Sequence, residues 1–155
     1  MRARGFLLGG TAGRTTLNGE GLQHQDGHSL LAAAATPNIK AYDLAYAYEI
    51  ATVIQVGIKE MVEENKDVIY YLTLENQNYV HPPMPKNIEK KVLKGLYKVV
   101  DNKKASVQLF GSGPLLTEAL AAAELLKKDW GVESSVWSVT SYSELRREAE
   151  EIDRW

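Results

Sequence analysis

The run Val68-Ile69-Tyr70-Tyr71-Leu72-Thr73-Leu74 is continuous in apolarity and rich in β-branched and aromatic residues. That suits a strand covered on both faces, as in a parallel sheet, rather than one alternating between core and water. Parallel neighbours need a crossover, and the preceding segment supplies one. Ile50, Val53, Ile54, Ile58 and Met61 recur at three- and four-residue steps, predicting an amphipathic helix from Ala45 to about Glu63. Before it, Asn38-Ile39-Lys40-Ala41-Tyr42 reads as a short strand, with Pro37 restricting its entry and Asp43 available to cap the helix. Strand, helix, strand is the βαβ unit, and the chain is assigned to the α/β class.

His81-Pro82-Pro83-Met84-Pro85 breaks this pattern, because proline removes ladder donors and restricts its predecessor. A boundary is placed near residue 84, and residues 85–104 read as a linker without a strong core signature. Beyond it, Ser106 to Phe110 is a strand, Gly111-Ser112-Gly113 a tight turn, and Pro114 fits a first helical position. Leu116, Ala119, Leu120 and Ala123 stripe a helix running to about Asp129, which Gly131 closes. Val132 to Val139 is a further strand. Ser143 to Trp155 is a charged helix with Leu145, Ile152 and Trp155 as its apolar anchors. Residues 105–155 thus hold about two strands, too few for a complete open sheet, and the chain reads as incomplete at both ends. Residues 1–29 hold seven of the twelve glycines and show no useful helical or strand periodicity, so they read as a structured loop region.

At 155 residues the chain can bury one respectable core. A net charge of -2, with no Lys/Arg run interleaved with aromatics, gives no field for nucleic acid. The absence of cysteine removes disulfides, thiolate metal sites and thiol nucleophiles. The apolar run Phe6-Leu7-Leu8 is too short for a signal peptide, and no span approaches the ~20 residues of a membrane helix. A cytoplasmic protein that engages neither membrane nor nucleic acid is expected.

Within the first thirty residues, Gly19-Glu20-Gly21-Leu22-Gln23-His24-Gln25-Asp26-Gly27-His28 concentrates titratable groups beyond what a packed element needs. Glu20, His24 and His28 are four apart, the spacing that aligns metal ligands on a helix, but the intervening glycines oppose that helix. General acid/base chemistry suits the set better, since an imidazole titrates near neutrality and a carboxylate can orient it. A loop held by side-chain to backbone bonds, with Asp26 and Asn18 as turn formers, is the competing reading. Gly111-Ser112-Gly113 lacks the third glycine of a dinucleotide fingerprint and the lysine of a P-loop, so a tight turn is favoured over a phosphate site. Tyr42, Tyr46, Tyr48, Tyr70 and Tyr71 read mostly as packing residues. His81, among prolines, reads as a turn residue.

Residues 2–29 together resemble the active-site segment of the homodimeric bacterial pyruvate dehydrogenase decarboxylating component, a thiamin-diphosphate-dependent, transketolase-like family. The similarity continues through Tyr42-Asp43, Ala45-Tyr46-Ala47-Tyr48-Glu49, Tyr70-Tyr71, Asn76-Gln77-Asn78-Tyr79, Met84-Pro85, Leu109 to Gly113 and Val139-Thr140-Ser141, covering essentially the whole chain. The resemblance implies parallel-sheet domains: residues 1–84 as the end of the middle domain, 85–104 as a linker and 105–155 as the first part of the C-terminal domain. It also implies oxidative decarboxylation of pyruvate and transfer of the acetyl group to a lipoyl domain of dihydrolipoyl acetyltransferase.

On the family's motif, Glu20 and His24 fall on the active-site carboxylate and histidine that approach the thiamin-bound intermediate. The resemblance implies that thiamin diphosphate and Mg²⁺ are held mainly by segments missing from this chain, which would be inactive without them. A homodimer is implied for the complete enzyme. Leu30 stands where the family often has another histidine, Leu44 where a proline usually follows the Tyr-Asp pair, and Ala32-Ala33-Ala34-Ala35 replaces a more varied stretch, suggesting relaxed packing. A non-catalytic α/β interaction module or degenerate fragment is the alternative.

Overall fold

The computed structural model describes residues 3–10, 27–74 and 78–155. Two three-stranded sheets organise them. The first contains β1 (Gly5–Gly9), β2 (Ile39–Asp43) and β3 (Ile69–Thr73), in the order β1-β3-β2 and all parallel. The central position of β3 accounts for its unbroken apolarity. Tyr70 and Leu72 are buried, and Ile69 and Tyr71 on the opposite side are half-buried.

α1 (Ser29–Ala34) precedes β2, and α2 (Ala47–Ile58) connects β2 to β3, its last turn continuing as a π-helical segment, Lys59–Glu63. The predicted helix over 45–63 is therefore present, with wider winding at its end. Gly57 marks the closest approach of α2 to the sheet: a Cβ there would lie 2.7 Å from Phe6 Cζ. The alanine run forms part of α1 and buries Ala33, so it makes a short helix packed on β2.

Strand β1 corrects the reading of residues 1–29 as loop throughout. Phe6 packs against the core, whereas Leu7 and Leu8 are 51% and 55% exposed. A five-residue edge strand with one inward anchor leaves no alternation to detect.

The second sheet contains β4 (Leu96–Val100), β5 (Val107–Gly111) and β6 (Ser134–Val139), in the order β4-β6-β5. β5 runs parallel to β6 and β4 antiparallel to it. The crossover is α4 (Leu115–Trp130), which starts one residue after Pro114 and ends on Gly131 at φ +65°. Residues 85–104, read from sequence as a linker, contain α3 (Glu89–Lys94) and β4. Ile88 and Val92, one helical turn apart among lysines, are both buried in the core.

The last helix, α5 (Tyr142–Arg154), begins where the Ser141 hydroxyl accepts the Glu144 amide at 3.1 Å. Of its expected anchors, Ile152 and Trp155 are 69% and 97% exposed and hold nothing. Leu145, the third, is half-buried over Gly95, and polar contacts complete the docking: Arg147 donates to the Ile39 carbonyl at 2.7 Å, and the Ser141 hydroxyl to the Ala41 carbonyl at 2.6 Å. These carbonyls belong to β2, so the second half of the chain covers an edge of the first sheet.

One core joins the two sheets, since Tyr42, Leu72 and Tyr70 pack in the same cluster as Ile88, Val92 and Tyr97. Within it lies Glu49, fully buried. One carboxylate oxygen accepts the backbone amides of Ala45 and Tyr46 at 2.6 and 2.9 Å, and the other accepts Tyr97 Oη at 2.5 Å and Ser138 Oγ at 2.8 Å. The first pair fastens the start of α2, where the helix dipole favours an anion. The second pair reaches β4 and β6. Asp43, expected to cap α2, does not; the cap position is Tyr46 and Glu49 bonds back to it.

At the other end of α2, Glu60 accepts Lys40 Nζ at 2.9 Å and Tyr70 Oη at 2.5 Å. Burial would raise the Glu60 carboxyl, but these bonds and the Lys66 contact outweigh it and hold the pKa below its ordinary 4.5.

Two outcomes follow for stability. Replacing Glu49→Ala strands two amides and the Ser138 hydroxyl and leaves Tyr97 with Tyr48 as its remaining hydroxyl partner, at about 1–3 kcal/mol for each group left unsatisfied. Urea unfolding should therefore show a marked fall in midpoint for Glu49→Ala and a smaller one for Glu49→Gln. A carboxyl lowered in the folded state stabilises fully above its unfolded pKa and loses that contribution as pH falls through the folded one. The stability gap between the wild type and Glu60→Gln, measured by urea titration, should be widest above pH 4.5 and close as the pH drops below it.

Candidate functional site

Open parallel sheets bind ligands in the crevice beyond the carboxyl ends of their strands. The last row of the first sheet consists of Gly9, Thr73 and Asp43, which are register partners across β1, β3 and β2. The chain leaves this row at Gly10 into the segment that carries Glu20 and His24, and returns at His28, the residue preceding α1. Glu20 and His24 themselves lie outside the described residues, as do Asn76 and Gln77. The chain departs toward both sets side by side, since the Leu74 amide donates to the Gly9 carbonyl at 3.1 Å.

Asp43 holds the other end of the row. Its side chain is buried, with Oδ1 accepting Thr73 Oγ1 at 2.5 Å and Oδ2 accepting Ser112 Oγ at 2.7 Å. Its amide donates to the Thr140 carbonyl at 2.9 Å, and its carbonyl accepts the Gly113 amide at 3.2 Å. The ends of β2, β3, β5 and β6 therefore converge on this residue. Gly113, at φ +52°, has no room for a side chain, because a Cβ would come within 2.7 Å of Asp43 Oδ1. The Gly111-Ser112-Gly113 turn thus directs the Ser112 hydroxyl to the Asp43 carboxylate and the Gly113 amide to the Asp43 carbonyl, in keeping with the tight-turn reading.

Two clefts flank the row. One, of about 210 Å³, is lined by Leu30, Leu31, Ala34, Ala41, Asp43 and Tyr142, between α1, β2 and the start of α5. Another, of about 290 Å³, is lined by Leu44, Ala47, Leu74, Asn78, Tyr79 and His81. In the second, His81 Nδ1 accepts the Ala47 amide at 3.0 Å and the ring stacks on Tyr79 at 4.7 Å. Tyr79 in turn donates to the Ala45 carbonyl. His81 is thus a strap across the start of α2, a more specific role than turn residue.

The tyrosines pack as expected from sequence, with Tyr42, Tyr46 and Tyr70 buried. Tyr48 and Tyr97 also bond to each other at 2.6 Å. Burial pushes Tyr48 up to about 12. Burial, and then the Glu49 charge, drive Tyr97 higher still, so both stay protonated donors at neutral pH. Among the described residues no group of His, Cys, Asp and Glu could hold a metal ion. No described helix is long and apolar enough to cross a membrane.

Sequence reasoning passed over Asp43, Glu49, Thr73 and Ser112 as partners. Glu49 did carry a signal, standing three residues after the helix cap position, where a glutamate reaches back to cap amides. The Asp43–Ser112 pair spans 69 positions and had no local signal.

Residues 1–82 match the family model for the pyruvate dehydrogenase E1 component middle domain, and residues 95–154 that for the transketolase-like C-terminal domain. Over its whole length the chain is 56% identical to the pyruvate dehydrogenase E1 component of Cupriavidus necator, and over 99% of its length it is 54% identical to that of Pseudomonas aeruginosa. It spans 18% of the length of each of these curated relatives. Among solved structures, a transketolase mutant from Pichia stipitis superposes with a TM-score of 0.67 at 26% identity, covering 85% of this chain and 18% of that one. The transketolase of Campylobacter jejuni gives 0.70 at 22% identity, covering 92% and 21%. With a transketolase-like α/β fold and family matches on both of its sheets, the chain belongs to the pyruvate dehydrogenase E1 component family.

Proposed function

We propose that this chain is a section of a pyruvate dehydrogenase (acetyl-transferring) and supplies one wall of its active site through Glu20 and His24. The observation that carries the reading is where the Glu20–His24 segment departs. Its motif leaves the carboxyl edge of a parallel sheet, the edge at which α/β enzymes bind ligands. The high identity to the curated E1 components over the whole chain supports it. The first sheet then forms the end of a middle domain and the second sheet the start of a C-terminal domain.

The reaction is oxidative decarboxylation of pyruvate with passage of the acetyl group to a lipoyl domain of dihydrolipoyl acetyltransferase. Thiamin diphosphate, with Mg²⁺, supplies the carbanion-stabilising chemistry when bound. In this reading both groups are held mainly by segments outside this chain. His24 holds and delivers a proton at the reacting hydroxyl, a task suited to an imidazole whose ordinary pKa of ~6.5 lies near neutrality. Glu20 orients the same oxygen as a second polar contact. The complete enzyme is a cytoplasmic homodimer in this reading.

A chimera tests the proposal directly. This chain replaces the matching segment of the Cupriavidus necator E1 component, and pyruvate-dependent release of carbon dioxide is measured. The chimera should turn over, and His24→Ala should lower kcat by about 10²-fold, the lower range for loss of a general acid/base. Full activity of the His24→Ala chimera would overturn the assignment, and a correctly assembled but inactive chimera would favour a non-catalytic module.

A further inference from the structure

The geometry assigns to Asp43 a role beyond packing: it is a positioning residue through which the second sheet sets the carboxyl-edge row of the first, from which the chain runs to Glu20 and His24. The functional part of this inference rests on the reading above, but its structural part does not.

The row Gly9, Thr73, Asp43 is held along the sheet by strand pairing. Pairing leaves its end free to shift, because beyond Asp43 and Thr73 the strands stop. Asp43 removes that freedom from three directions. Thr73 Oγ1 ties it to the adjacent central strand, Ser112 Oγ to the turn before α4, and its backbone lies between the Thr140 carbonyl and the Gly113 amide. The two hydroxyls approach different oxygens of one carboxylate, so displacement of the second sheet is transmitted to Thr73 through a single rigid group.

From Thr73 the link continues to the next residue, whose amide bonds to the Gly9 carbonyl, and Gly10 follows. The path from Ser112 to the departure of the active-site segment therefore involves only hydrogen bonds and one strand row. Charge-assisted bonds of this kind are shorter and stronger than neutral ones, which suits a part that fixes a position. Fixing this row fixes the point from which the chain runs toward Glu20 and His24, and small misplacement of reacting groups is costly in rate.

The milder probe is Ser112→Ala, which keeps the carboxylate and removes one of its donors. It is made in the chimera together with Asp43→Asn and the double variant. Three quantities are read: kcat, KM for pyruvate, and the exchange rate of the Leu74 amide. Ser112→Ala should lower kcat about tenfold, equivalent to ~1.4 kcal/mol of barrier. KM should change little and Leu74 exchange should quicken. The double variant should be no worse than the poorer single one, because both act through the same link. Ser112→Thr, which restores the hydroxyl, should recover both kcat and Leu74 protection.

If Ser112→Ala lowers only the melting temperature, leaving kcat and Leu74 exchange at wild-type values, Asp43 is a structural fastener and the inference fails. Additive losses in the double variant also overturn it. If Asp43→Asn does not fold, the Ser112→Ala and Ser112→Thr pair decides. If the chimera does not turn over at all, the function reading fails separately, and Leu74 exchange still tests the coupling between sheets.

Discussion

A carboxylate with four donors, buried between two small sheets, is the interaction on which this structure depends. Glu49 collects two amides from the start of α2 and two hydroxyls from β4 and β6. Burying such a group is unfavourable unless its bonds are made, and here two of the four are made across the seam. Separating the sheets would strip the carboxylate of its two hydroxyl donors, Tyr97 and Ser138, while the two amides of α2 stay with it. The seam is therefore not a sliding contact. Its polar bonds are backed by the shared cluster around Tyr42, Tyr70, Val92 and Tyr97.

The same seam passes close to the candidate site, where Asp43 repeats the arrangement at the carboxyl ends of the strands. The two three-stranded sheets share one core, in which Tyr42, Tyr70 and Leu72 of the first pack with Ile88, Val92 and Tyr97 of the second half. The second half covers the first sheet at the β2 edge through Ser141 and Arg147, and the first lends the Asp43 carboxylate to the turn before α4. The polar contacts that make the halves a single body thus also reach the row from which the chain runs toward Glu20 and His24, the residues proposed for the active site.

The legible parts of the fold were those with strong local signals. β3 announced itself through an unbroken apolar run, α2 and α4 through striping, and the end of α4 through Gly131. β1 and β4 did not, because a short edge strand with one or two inward side chains has no period to read. α3 was hidden by its lysines, although Val92 lies at the centre of the core. At the site, the family motif drew attention to Glu20 and His24 as residue types. The residues that hold the edge in place, Asp43, Thr73 and Ser112, are brought together only by the tertiary fold.

The central claim is that buried carboxylates make the two sheets one cooperative unit. All three tryptophans, Trp130, Trp137 and Trp155, lie in the second half, whereas β3 belongs to the first sheet. The direct measurement is urea unfolding followed at once by tryptophan fluorescence and by amide exchange of residues 69–73. The account predicts coincident transitions at every urea concentration. Loss of the tryptophan signal while β3 remains protected would contradict it.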